Sequence, residues 1–124
     1  MKLFEPIKIG NVELKNRVIM APMENGMAEV GTGEATDRII AFFEERAQHN
    51  IAMIMPGSIG VSPEGRGLPT QLSLFDEKQV AGHKRLVDAI HNKGSLVAAQ
   101  LYHAGRQASE AITGLDPLAP SAIP

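Results

Sequence analysis

The chain predicts an α/β fold built on a parallel sheet, and three observations carry that reading. Short apolar runs at 17–21, 51–55 and 95–101 alternate with longer segments of helical periodicity, which is the pattern of strands joined by crossover helices. Each run is close to continuously apolar rather than alternating, as in strands buried on both faces. Pro22, Pro56-Gly57 and Gly94 punctuate the boundaries between runs and the segments around them. Periodicity alone leaves open whether such a sheet closes into a barrel or stays doubly wound.

Taken in order, Lys8-Ile9 and Val12-Glu13 flank Gly10-Asn11, a two-residue turn signal for a small hairpin. Arg17 to Ala21 reads as the first strand of the parallel sheet, ended by Pro22, and Asn25 to Gly33 as a loop rich in Gly and polar residues. Thr36 with Asp37 opens a helix to about Asn50. Ile39, Ile40, Phe42, Phe43 and Ala47 form its apolar stripe, and Glu44, Glu45, Arg46 and Gln48 its wet face. Ile51 to Met55 is the second strand, stopped by Pro56-Gly57. Ser62 to Leu72, with two Gly and two Pro, is a long loop. Asp76 caps a second helix to about Lys93 with Val80, Leu86, Val87 and Ile90 on its buried side. Gly94 ends that helix, and Ser95 to Leu101 is the third strand. No internal repeat, linker or second domain is visible beyond this alternation.

Composition is that of an ordinary globular chain, 44% hydrophobic and 21% charged, so disorder is not expected. With 12 basic and 14 acidic residues, a net charge of −2 and no clustering of Lys and Arg, neither nucleic acid nor an anionic membrane is an expected partner. There is no run of about 18 apolar residues and no basic-then-apolar leader. The expected location is therefore cytoplasmic. There are no cysteines, and the four histidines (His49, His83, His91, His103) lack close ligand spacing, so no metal site is expected.

The segment with the most chemistry is Gln100-Leu101-Tyr102-His103-Ala104-Gly105-Arg106. It follows the apolar run Leu96-Val97-Ala98-Ala99, so an amide sits where a buried strand should end. Ligands bind at the carboxyl ends of strands in parallel α/β folds. A planar amide with one donor end and one acceptor end suits the edge of a flat heterocycle.

Three further segments give the resemblance: Leu3-Phe4-Glu5-Pro6-Ile7-Lys8-Ile9-Gly10, then Leu14-Lys15-Asn16-Arg17-Val18-Ile19-Met20-Ala21-Pro22-Met23, then Val61-Ser62-Pro63-Glu64-Gly65-Arg66. With Gln100 to Arg106, in this order and over essentially the whole chain, they resemble the old yellow enzyme family. These are FMN-dependent NAD(P)H:flavin oxidoreductases built on a TIM barrel. The resemblance selects the barrel, with the hairpin plugging its bottom. A complete barrel needs about 250 residues, whereas this chain has 124 and ends in the loop-like Ala119-Pro120-Ser121-Ala122-Ile123-Pro124. Residues 1–124 are thus expected to be the first three strand units of a (β/α)8 TIM barrel with an N-terminal β-hairpin, the barrel incomplete and the FMN-binding domain truncated.

The resemblance implies FMN as cofactor and NAD(P)H as reductant. The substrate it implies is a small-molecule alkene, activated as an enone or an enoyl thioester. An iron–sulfur cluster and FAD belong only to relatives' regions absent here. The positions matching the family's flavin contacts are Pro22 and Met23 (backbone against the ring), Gly57 and Ser58 (close approach of its polar edge) and Gln100 (the pyrimidine edge). Residue by residue the plainer readings are a strand terminator, a core methionine, a turn glycine and a satisfied strand-end amide. No residue is assigned to catalysis. His103 and Arg106 either bind an anion or brace their loop, the second being preferred.

Glu24 departs from the pattern, which has Thr, Cys or another small residue there. A carboxylate near the ring would lower the flavin potential, stay protonated, or point away. The chain alone is expected to be inactive. The alternative is a non-catalytic fragment serving as an oligomerisation or interaction module, so a homo-oligomer is among the expected partners. A third reading, a phosphate-binding barrel without flavin, does not account for the Ala-Pro-Met and Gln-Leu-Tyr-His-Ala-Gly-Arg segments.

Overall fold

The computed structural model describes residues 1–121; residues 122–124 of the loop-like ending lie outside the described residues. After a short 3-10 turn at Lys2–Phe4, strands β1 (Ile7–Ile9) and β2 (Val12–Leu14) form the antiparallel hairpin, with Ile9 opposite Val12 across Gly10-Asn11. Then follow β3 (Ile19–Met23), α1 (Asp37–Ala47), β4 (Met53–Pro56), β5 (Ser58–Gly60), α2 (Glu77–Asn92), β6 (Leu96–Val97), β7 (Gln100–Tyr102) and a four-residue α3 (Glu110–Thr113). The sheet order is β3-β4-β6, all parallel, and β5 pairs β7 in parallel beyond it.

The order runs one way. Crossovers of one hand that step in one direction put their helices on the same face of the sheet. A doubly wound sheet reverses direction and covers both faces. Here α1 and α2 pack side by side on one face. Ile39, Phe43, Ala47, Leu86 and Ile90 meet Ile54 and Ile59 there, with Met20 and Val97 against them. Register explains which side chains take part: Met20, Ile54 and Val97 are successive partners across the sheet, so parallel pairing points all three at the helices. The next row, Ile19, Met53 and Leu96, points the other way and is only partly covered, Ile19 being 38% exposed. That face is the one a closed barrel would fill.

Local chemistry sets the helix ends. Thr36 Oγ1 accepts from the Ile39 N–H at 3.2 Å and donates to Met27 O at 2.6 Å. Asp76 and Gln79 form a reciprocal capping box at the start of α2.

Several expectations need correction. The first strand does not end before Pro22: it runs on to Met23 with a bulge, since Met20 pairs with Ile54 but Met23 with Pro56. Proline is tolerated there because it falls within the bulge, where it has no register partner. The second strand starts at Met53, includes Pro56, and resumes as β5 after Gly57. The third is split at Ala98-Ala99, so Gln100 opens β7 rather than closing a strand. The first helix stops at Ala47, short of Asn50. On α2, Leu86 and Ile90 are buried as expected, but Val80 is 46% exposed and Gln79 is buried instead. Gln79 takes the inner place because its amide also donates to Thr32 O at 2.7 Å and accepts from the Phe75 N–H.

Candidate functional site

The two ends of the sheet differ in chemistry. At the amino ends, Asn16, 1% exposed, donates from Nδ2 to Asn50 O at 2.7 Å and accepts from the Val18 N–H. Ser95 is shut in against Ala47 O and Ile51 O. This is a closed, satisfied end.

The carboxyl ends are open and polar. The bulge in β3 re-aims Met23, leaving it 68% exposed, and Pro22 is half-buried. Gly57 is buried against the end of β3: a Cβ built on it would lie 3.0 Å from Met23 O and 3.3 Å from Glu24 Cα. Only glycine lets the two strand ends approach this closely. Ser58 follows, and its hydroxyl donates to Glu24 Oε2 at 3.0 Å. Gln100 is the cross-strand partner of Ser58, so both project from the same face, and Gln100 is exposed. The fold therefore brings Met23, Gly57, Ser58 and Gln100 to one mouth, with Pro22 in the strand beneath.

Beside that mouth lies a cleft of about 310 Å³ lined by Glu24, Ser58, Gly67, Leu68, Gln71, Tyr102 and Gln107. Ser58 is the one expected cofactor residue on its wall. Gln100 stands on the neighbouring strand, outside the lining. Sequence reasoning missed Gln71, which is 1% exposed; a polar residue in a Gly- and Pro-rich loop carries no burial signal. The Gln71 amide accepts from the Gly67 N–H at 2.8 Å and donates to Ser58 Oγ at 2.6 Å.

The loop from 61 to 72 is held rigidly enough to present these groups. Arg66, 5% exposed, donates to Pro69 O at 2.7 Å and to Gly31 O, tying the loop to the turn after β3, while its Nε has no partner. Burial lowers its pKa. Tyr102 stacks its hydroxyl over Gly67, where a Cβ would come within 3.0 Å of it.

His103 lies against Gly65, whose added Cβ would sit 2.5 Å from the ring. Its Nδ1 accepts from the Gly105 N–H at 2.9 Å, which leaves the Nε2 proton facing Glu64 Oε1 at 3.7 Å. The Glu64 carboxyl is held below its usual range by a backbone N–H, then by the Ser62 hydroxyl, with His103 adding to both. His103 thus braces one loop on another. Arg106 is exposed on the 3-10 turn Gly105–Gln107. Among the described residues no group of three or more His, Asp or Glu is arranged to hold a metal ion. No helix there is long and apolar enough to cross a membrane.

The donor set fits a flat heterocycle. The cleft wall carries amide, hydroxyl and phenol groups, one carboxylate and no Lys or Arg. That chemistry suits the ring of FMN and not its phosphate.

Comparison with known proteins agrees with this fold. Residues 2–123 match the model of the NADH:flavin oxidoreductase / NADH oxidase family. A metal reductase of Desulforamulus reducens is 42% identical over 123 residues, 98% of this chain and 18% of the relative. An NADH oxidase of Thermoanaerobacter brockii is 37% identical over 98% of this chain and 19% of its own length. Among solved structures, the old yellow enzyme homologue from Zymomonas mobilis superposes with a TM-score of 0.91 at 33% identity, covering 99% of this chain and 34% of that one. A 2-naphthoyl-CoA reductase complex gives 0.92 at 28% identity, over 98% and 20%. The chain thus spans about a fifth of the curated relatives it matches. Its fold is the first three strand units of their TIM barrel.

Proposed function

The chain belongs to the NADH:flavin oxidoreductase / NADH oxidase family, and from that premise we propose that it is the N-terminal part of an FMN-dependent enzyme that reduces an activated alkene with NAD(P)H. When bound, FMN would supply the two-electron chemistry that carries hydride from NAD(P)H to the β-carbon of an enone or enoyl thioester, with a proton reaching the α-carbon. The observation that carries this reading is the strand-end mouth, where Met23, Gly57 and Ser58 meet beside a cleft of amide, hydroxyl and phenol groups with one carboxylate and no cation.

The chain's own residues orient the ring. Backbone at Pro22 and Met23 would lie along it, the bare Gly57 and the Ser58 backbone would admit its polar edge, and Gln100 would offer its paired donor and acceptor to the pyrimidine edge. Tyr102 and Leu68, on the cleft wall, narrow access for water. The wall has no cation for the FMN phosphate; the family resemblance would put that anchor, and the group that polarises the substrate carbonyl, in later strands. With no cysteine, this chain supplies no thiolate to an iron–sulfur cluster.

The test is an absorbance spectrum from about 300 to 550 nm of the soluble full-length protein. Bound-flavin bands, bleached by NADH and restored by an enoyl thioester, are expected. A folded protein without flavin bands would refute the reading. A chain that closes into a defined oligomer without flavin would instead support an interaction module.

A further inference from the structure

Four groups from three segments form a chain of hydrogen bonds that runs in one direction only. The Gly67 N–H donates to Gln71 Oε1 at 2.8 Å. A backbone N–H can only donate, so it fixes the amide with its oxygen toward Gly67 and its NH₂ the other way. That NH₂ donates to Ser58 Oγ at 2.6 Å. The single Ser58 proton is then free to donate to Glu24 Oε2 at 3.0 Å. Gln71 is 1% exposed, so water does not compete for the amide, and turning it over would set donor against donor. The end of this chain must therefore be an acceptor, and the side chain found there is a carboxylate.

Backbone shape fixes where that carboxylate stands. Glu24 follows β3 directly, and a Cβ on Gly57 would lie 3.3 Å from both its Cα and its Oε2. The carboxylate is thus drawn over the end of β4 and onto the cleft wall, where it is still exposed to solvent. Of the three states open to Glu24 from sequence, pointing away is the one this geometry removes.

We infer that Glu24 is a charge-setting residue of the ring site, and that Gln71 and Ser58 are positioning residues which hold its carboxylate at the strand-end mouth. There it opposes the build-up of negative charge on a bound two-electron ring and lowers the ring's reduction potential. The inference rests on the flavin reading above and adds to it the residue that sets the potential.

The test is spectroelectrochemical titration of the FMN-loaded full-length protein as wild type, Glu24→Gln and Gln71→Leu. Glu24→Gln keeps an acceptor oxygen for Ser58 and removes only the charge. Its potential should move positive, equivalent to about a tenfold or greater rise in the reduced-to-oxidised ratio at a fixed poise. Gln71→Leu should shift it the same way by less, because the carboxylate loses its tether. A Glu24→Gln potential that is unchanged or more negative overturns the inference while leaving the flavin reading intact. An unshifted Gln71→Leu potential overturns the positioning role. A wild-type protein that binds no flavin overturns the flavin reading itself, and this inference with it.

Discussion

Gly33→Ala is the perturbation whose cost can be worked most directly from the structure. Gly33 has φ +71, and a Cβ there would fall inside contact distance of Ser73 Oγ, 2.6 Å from Ser73 Cβ and 2.8 Å from Gln71 O. Gly33 O also accepts from the Ser73 N–H at 3.0 Å, and its own N–H donates to Glu29 O at 2.9 Å. The left-handed backbone alone costs an alanine roughly 1–2 kcal/mol. Relieving the overlap means moving the strip that holds Gln71 and Ser73, which adds about 1–3 kcal/mol of strain and about 1 kcal/mol per lost hydrogen bond. With one bond lost the sum is about 3–6 kcal/mol.

Gly10→Ala supplies the control. Its φ is +58, yet nothing lies within 4 Å of the added Cβ, so it isolates the backbone term. The gain from restricting the unfolded chain is common to both variants and cancels in the difference. Urea unfolding of a soluble form of the protein carrying residues 1–121 should place Gly33→Ala at least about 2 kcal/mol below Gly10→Ala. Agreement of the two within about 0.5 kcal/mol would refute the claim that the 29–33 turn and the 71–73 strip are packed as described.

Other outcomes follow from the same packing. Phe43, 0% exposed and edge-on to Phe42 at 5.0 Å, should lose about 3–5 kcal/mol on truncation to Ala, read from the urea midpoint. Arg66→Met strands the carbonyls of Gly31 and Pro69 but also removes a buried cation, so we expect a net loss of about 1–3 kcal/mol. Arg66→Lys should not rescue it, and limited proteolysis should cut first within 61–72. His83 donates from Nε2 to Ser73 O, and burial holds its pKa below the ordinary 6.5 against the smaller pull of that bond. The folded state therefore binds fewer protons, so stability is full above the unfolded value and falls as pH drops through the folded one. His83→Gln should flatten that acid-side slope. Finally, the row Ile19, Met53 and Leu96 and the open strand edges should make the isolated chain self-associate. A single sedimenting species with a cooperative thermal transition would contradict this.

Helix starts, element order and the hairpin turn were readable from sequence because each rests on neighbours along the chain. Thr36 and Asp76 cap through residues two or three positions on, and Gly10-Asn11 needs only its own backbone. The neighbourhoods of the strand ends were readable as well, from Pro22, Pro56-Gly57 and the amide after an apolar run, but not the ends themselves, since β3 runs past Pro22, β4 includes Pro56 and Gln100 opens β7. Tertiary structure decided the rest. The bulge that re-aims Met23, the breaks at Gly57 and Ala98-Ala99, and the pairing of Ser58 with Gln100 all depend on register with another strand, which no local pattern specifies. Gln71, Gln79 and Arg66 are buried although polar, because partners 13, 47 and 35 residues away hold them. Sequence by itself determined which segments would form and what chemistry they carried. Only packing could decide which polar groups would face one another, because a hydrogen bond between distant segments exists only once the backbone has brought both ends together.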